Sequence, residues 1–179
     1  GIYRLIKVIS ISEEGDIFTE QGYHFLVNRD IVWLLKNAES ISFSLVTIGE
    51  KLEEIVRKKF DQNQSMQAII LDAIGTVAVK MVGQWFNHYL EKEISKIGYK
   101  LSRYFEPGSG DWDLEEQQKV FTILRPKEIG VSLSDHFMMI PTKSLSWMRG
   151  VGHHLVHSYR HEFSCRYCLL DHCQYGKKR

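Results

Sequence analysis

Two stretches of this chain gather residue types that could do chemistry. The first runs from Arg103 through Tyr104, Phe105, Glu106, Pro107, Gly108, Ser109, Gly110 and Asp111 to Trp112 and Asp113. Proline fixes one backbone angle and the glycine after it frees the next, so the main chain can turn tightly and bring bare N–H and C=O groups close to a ligand. Arg103 offers a planar fork of donors suited to a carboxylate, and Glu106 or Asp111 could face an ammonium or a hydroxyl. Taken by itself, the pattern also describes a plain turn before a helix, since Pro-Gly turns are common.

The second stretch holds all three cysteines. Cys165, Cys168 and Cys173 form a C-x2-C-x4-C spacing, a poor disulfide framework but a reasonable set of metal ligands. Two thiolates separated by two residues can reach one metal from a turn, and the third can close over it. The fourth position is left to His172, His161, an exogenous ligand or a partner's residue. An iron–sulfur cluster and a Cys3His zinc site both fit, as do free thiols with no metal. His153, His157 and His161 recur every four residues, so a helix there would line them along one face.

The elements that must position these residues read as a mixture of strands and helices. Residues 2–11 are rich in β-branched apolar types and stop at Glu13-Glu14-Gly15-Asp16, as a strand would. Residues 31–35 are a short buried run of undecided type. Residues 41–48 alternate Ile41, Phe43 and Leu45 against Ser42, Ser44 and Val46, which predicts a strand with one buried face. Gly49 then releases an amphipathic helix carrying Leu52, Ile55, Val56 and Phe60. The longest element spans about 65–97, where apolar residues recur at three- and four-residue spacing from Met66 to Leu90. It reads as a core helix, with a wetter second half marked by Glu91, Lys92, Glu93 and Lys96.

Gly75 and Gly83 each cost roughly 1 kcal/mol against alanine inside a helix, so a neighbour should pack closely there, or the helix should break near Gly83. Asp72 is the odd charge on this helix and is expected to cap or pair locally. Residues 100–105 predict a strand, and Asp113-Leu114-Glu115-Glu116 has the form of a capping box opening a helix through Val120, Phe121 and Leu124. Residues 131–139 and 144–148 predict two strands joined at Pro141-Thr142-Lys143, with Met138 and Met139 as core packing. The fold class is therefore α+β, an antiparallel sheet with a long central helix over residues 1–152, followed by a His/Cys-rich tail at 153–179.

Composition narrows the function classes. The chain has 179 residues, is 44% hydrophobic and 25% charged, and carries a formal charge of +1. Such values suit one globular domain and argue against a protein-wide nucleic-acid surface, which needs many uncompensated Lys and Arg. The tail from His153 onward holds five Lys/Arg against two Asp/Glu, enough to help dock an acidic partner but too few to imply nucleic acid. No run of roughly 18 consecutive apolar residues is present and the N-terminal residues lack a signal-like apolar core. A cytoplasmic protein with no membrane span is expected.

The order of the motifs is more specific than any one of them. Pro107-Gly108-Ser109-Gly110-Asp111-Trp112 followed by Leu114-Glu115-Glu116-Gln117 resembles the activation domain of cobalamin-dependent methionine synthase in its short free-standing form. Ile129-Gly130-Val131-Ser132-Leu133-Ser134, Met138-Met139-Ile140-Pro141 and Lys143-Ser144-Leu145-Ser146 are similar to further segments of that family, as are Val46-Thr47-Ile48-Gly49 and Leu71-Asp72-Ala73-Ile74-Gly75. The resemblance covers residues 25–150. It departs from the family at two positions: Arg103 stands five rather than four residues before Gly108, leaving Tyr104 at the family's arginine position, and Ser109 replaces a tyrosine.

The resemblance implies an accessory component that binds S-adenosylmethionine through Arg103, Tyr104, Glu106, Pro107, Gly108, Ser109, Gly110 and Asp111. Its partners would be methionine synthase or another corrinoid-binding methyltransferase, which carries the cobalamin, and an electron donor protein. The expected role is reactivation of cobalt(II) by reductive methylation. Short relatives with similar cysteine tails tilt the metal at Cys165, Cys168 and Cys173 toward iron–sulfur. The alternative is an adaptor that docks on a corrinoid protein through its metal tail without using S-adenosylmethionine.

Overall fold

The computed structural model describes residues 1–109 and 112–155. A six-stranded sheet, antiparallel between every pair of neighbours, organises them in the order β3-β2-β1-β4-β8-β5. Its strands are β1 (Ile2–Ile11), β2 (Asp16–Thr19), β3 (His24–Leu26), β4 (Ser40–Thr47), β5 (Lys100–Phe105) and β8 (Ser144–Gly152). A separate two-stranded hairpin pairs β6 (Ser132–Leu133) with β7 (Met139–Ile140). The helices are α1 (Arg29–Leu35), α2 (Lys51–Asp61), α3 (Ser65–Lys96) and α4 (Gln117–Leu124). The α+β class expected from the sequence is the class observed.

Strand β4 sits centrally and buries both faces, not the one its alternation predicts: Ile41 through Val46 are all buried. Ile41, Phe43 and Leu45 join Met148, Phe105 and Trp112 in a core covered by α1 and α4. On the opposite face Val46, Trp147, Val151 and Leu101 pack against Val79, Phe86, Leu90 and Ile94 of α3. Serine serves on that second face because its neighbours are bulky. The register sets Ser44 opposite Trp147 and Ser42 opposite Arg149, and residues directly opposite in a ladder share a face. Each fully buried large apolar side chain contributes roughly 1.5–3 kcal/mol.

Helix α3 runs unbroken through 32 residues, about 48 Å at 1.5 Å per residue. Both of its internal glycines mark close approaches, as the sequence led us to expect. A Cβ on Gly75 would lie 2.6 Å from Leu52 Cδ2 of α2, and one on Gly83 would lie 3.3 Å from Leu145 Cδ1 of β8. Asp72 pairs across the fold rather than locally: Lys143 Nζ is 2.7 Å from its carboxylate and 3.1 Å from Thr76 Oγ1. Glu53 of α2 adds to this fastening by accepting from Lys143 N at 2.8 Å.

Several expectations are corrected. The apolar run at 31–35, of undecided type in the sequence, is the C-terminal part of α1. Strand 131–139 is replaced by two short strands around a tight loop, where Ser134 Oγ accepts from the amides of His136 and Met138 and competes with ladder formation. Met138 is consequently exposed, whereas Met139 packs on the first core. Asp113 makes no side-chain cap; a 3-10 turn over Leu114–Glu116 precedes α4. His153 follows β8 in a turn, not a helix, with Nδ1 2.9 Å from Glu39 Oε1. Helix α3 is not enclosed, and by length and composition it is apolar enough to cross a membrane, although its inner face packs on the sheet.

Candidate functional site

The loop after β5 forms a type II turn. Pro107 takes the second position, Gly108 the third at φ 80°, and Ser109 N donates to Glu106 O at 3.1 Å. The positive φ is what requires glycine. Gly108 N donates to Trp112 O at 2.8 Å, and Trp112 is buried in the first core, so the loop is fixed at both ends. These two amides are engaged within the loop itself rather than left bare, contrary to the sequence reading. Gly110, Asp111 and the three tail cysteines lie outside the described residues, as do His157, His161 and His172.

Side chains on β5 divide between the two faces of the sheet. Tyr104 and Glu106 line a cleft of about 670 Å³ between α3 and the β5–β8 edge. Arg103 does not line it; its guanidinium lies over the Phe105 ring, 5.4 Å from the centroid, and Phe105 belongs to the other core. The remaining walls come from Lys80, Gly83, Gln84, Asn87, His88 and Glu91 of α3 and from Leu145, Trp147 and Arg149 of β8. None of these was singled out as a site residue by sequence reading. A signal was available: Lys80, Gln84, Asn87, His88 and Glu91 recur at three- and four-residue steps, a polar stripe on an otherwise apolar helix.

Among the described residues Arg149 is the most deeply placed charge, only 1% exposed. Its Nε donates to Ser102 O at 2.6 Å, Nη1 to Asn87 Oδ1 at 3.3 Å and Nη2 to Glu91 Oε1 at 2.9 Å. The ladder places Tyr104 directly opposite Arg149. Burial pushes the Glu106 carboxyl above its usual range, with the nearby Lys80 ammonium opposing the rise. Trp147 is buried beside them, and its indole Nε1 has no partner among the described residues. The cleft thus combines two cations, two carboxylates and two aromatic rings within one enclosure. Such a set suits a zwitterionic ligand with a flat ring.

On the other face of β8, Gln117 holds the scaffold. It is 3% exposed, donates to Phe137 O at 2.6 Å and accepts from Ser146 Oγ at 2.9 Å. It therefore clamps the β6–β7 hairpin loop to β8. Among the described residues no group of three His, Cys, Asp or Glu is arranged to hold a metal.

No family model matches the chain. By sequence it is 22% identical over 139 residues to methionine synthase of Mycobacterium leprae (strain TN) and 21% identical over 139 residues to that of Mycobacterium tuberculosis (strain ATCC 25618 / H37Rv). In both cases the match takes in 67% of this chain, which spans only 12% of the length of those relatives. By structure it is similar to the MetH reactivation domain bound to AdoHcy, with a TM-score of 0.68 and 14% identity, covering 88% of this chain and 59% of that one. The fold is that of the methionine synthase reactivation domain, the family its motifs resemble.

Proposed function

We propose that this protein binds S-adenosylmethionine in the α3/β5/β8 cleft and presents its methyl group to the cobalt of a corrinoid-dependent methyltransferase, methionine synthase first among them. The observation that carries the reading is the cleft itself, lined by Tyr104 and Glu106 of the motif strand in the fold of a reactivation domain whose crystal structure holds AdoHcy. Arg149 and Lys80 would take the ligand carboxylate. Glu91 and Glu106 would face its ammonium and sulfonium charges, and Tyr104 and Trp147 would flank the adenine. The Pro107–Gly108 turn with Ser109, Gly110 and Asp111 would form the rim, which Arg103 would join only on leaving its stack on Phe105.

A corrinoid carried by the partner, once reduced by one electron, would supply the nucleophile that takes the sulfonium methyl, the C–S electron pair staying on sulfur to leave S-adenosylhomocysteine. The contribution of this chain is proximity and orientation: the cleft holds the sulfonium at a fixed depth and Glu91 and Glu106 stabilise its charge until transfer. The electron would come from a donor protein. Cys165, Cys168 and Cys173 are assigned to an iron–sulfur cluster or a zinc ion on the tail, and the whole is placed in the cytoplasm.

A second reading has its own support. The Arg103 guanidinium is stacked on Phe105 away from the cleft, and Ser109 lacks an aromatic face. An adaptor that docks on a corrinoid protein without S-adenosylmethionine would tolerate both. Calorimetric titration of S-adenosylmethionine into the purified chain separates the two: one saturable site supports the first reading, and no heat at millimolar ligand supports the adaptor.

A further inference from the structure

The outer face of α3 is apolar, and nothing among the described residues covers it. Met66, Ile70, Ile74, Val77, Met81 and Trp85 are each between 51% and 71% exposed, and their steps of three and four residues align them along one side of the helix. From Met66 to Tyr89 the helix carries only two charged residues, Asp72 and Lys80, and Asp72 is tied to Lys143. An apolar helix face is normally packed against another element. Among the described residues the sheet and α2 cover only the inner face.

We propose that this stripe is the interface of a homodimer in which two α3 helices pack across a two-fold axis near Val77. Size is the first argument. With Ile69 and Tyr89 flanking it, the stripe exposes on the order of 600 Å² of apolar surface, taking about 100 Å² for an aliphatic side chain and about 200 Å² for an aromatic one. That reaches the upper end of what the largest patch on a monomer shows, roughly 300–600 Å². Because homodimer interfaces are only about 65% apolar, it also corresponds to the roughly 800 Å² per partner of a standard stable interface.

Self-complementarity is the second argument. Met66 and Tyr89, Ile70 and Trp85, and Ile74 and Met81 lie at matching distances on either side of the midpoint between Val77 and Ala78, so a two-fold operation there sets each against its counterpart. Ala73, Val77 and Ala78 keep the centre small, which allows the helices to approach within the usual 8–10 Å. The near absence of charge means that two identical faces meet without like-charge repulsion.

The test is the mass of the full chain by sedimentation equilibrium at micromolar concentrations in detergent-free buffer. Twice the 20.9 kDa of the chain is expected, falling to the single mass in Val77→Asp and separately in Met81→Glu, each with an unchanged far-ultraviolet dichroism spectrum. Ile9→Asp, at an exposed apolar residue of β1, should stay dimeric. A monomeric unaltered chain, or a dimer that survives both stripe substitutions, overturns the proposal. So does a monomer whose flotation with phosphatidylcholine vesicles is abolished by the same two substitutions, because the stripe would then be a lipid-facing surface. The test uses no methyl donor, so its outcome does not bear on the cleft.

Discussion

Replacing Arg149 by methionine tests the cleft at its deepest charge. The change removes a donor from Ser102 O, which lies in a fully buried residue, and leaves Asn87 and Glu91 without the guanidinium. An orphaned buried acceptor costs about 1–3 kcal/mol. Glu91 is 39% exposed, so water replaces much of its lost partner and that part of the cost is below about 1 kcal/mol. Methionine fills the space and removes a buried charge, which offsets some of the loss. The net expectation is about 2 kcal/mol, or a fall in Tm of roughly 4–8 °C for a chain of this size.

Ligand binding should suffer separately, with affinity for S-adenosylmethionine reduced roughly 10- to 150-fold if a charge-assisted contact to its carboxylate is lost. Glu91→Gln should weaken binding too, because it removes a carboxylate that faces the positive charges of the ligand, but it keeps a hydrogen-bond acceptor near Arg149, so its Tm should fall less than that of Arg149→Met. If Arg149→Met lowers Tm while affinity stays within a factor of two or so, the arginine serves only to join strands to helix and the ligand assignment is refuted.

Three further outcomes follow from the same site and tail. Because burial raises the Glu106 carboxyl, the folded chain holds its proton more tightly than the unfolded chain; Glu106 is thus destabilising once pH has risen through the folded value and neutral below the unfolded one. Glu106→Gln should therefore raise Tm near about pH 8 and change it little near about pH 3, and equal shifts at both would contradict the burial argument. Gly108→Val should cost about 1–3 kcal/mol for its positive φ and abolish ligand binding, whereas Gly108→Asn should retain most of both; a fully stable, ligand-binding valine variant would exclude a role for the turn. Anaerobically purified chain should contain iron with thiolate-to-iron absorption that is lost on replacing any of Cys165, Cys168 or Cys173, while stoichiometric zinc would mean a structural site and no electron transfer.

What could be read from the sequence was mostly local. Alternation identified β4 and helical spacing identified α2 and α3, because those patterns reflect one neighbour at a time. The burial of both faces of β4 was hidden, since Ser42 and Ser44 look solvent-facing until β8 sets Trp147 and Arg149 beside them. Gly75 and Gly83 correctly announced close neighbours, but only the fold shows that these are Leu52 and Leu145. Strands β2 and β3 went unread because their four and three residues are too short to show a period.

The site was half legible. Tyr104 and Glu106, which line the candidate cleft, stand in one continuous motif with the Gly108 turn and were read together with it. Arg149 and Trp147 come from a strand some forty residues away, and Lys80, Gln84, Asn87 and Glu91 from a helix whose apolar periodicity drew attention from its polar stripe. Arg103 and Tyr104 are adjacent in sequence, but the pleat separates their environments: Tyr104 faces the cleft and Arg103 rests on Phe105. Motif spacing alone does not carry that information, because the bulge between Leu101 and Tyr104 resets the register.

The central claim is methyl transfer, and one measurement addresses it directly. The chain is mixed with a methionine synthase core that lacks its own reactivation domain and holds its cobalt as cobalt(II), together with methyl-labelled S-adenosylmethionine and a one-electron reductant. Label should pass to the corrinoid with one S-adenosylhomocysteine formed per methyl transferred, and transfer should fall at least tenfold with the Arg149→Met chain. Label transfer at the same rate with and without the chain, or none with any corrinoid partner despite demonstrated binding of S-adenosylmethionine, would contradict the account.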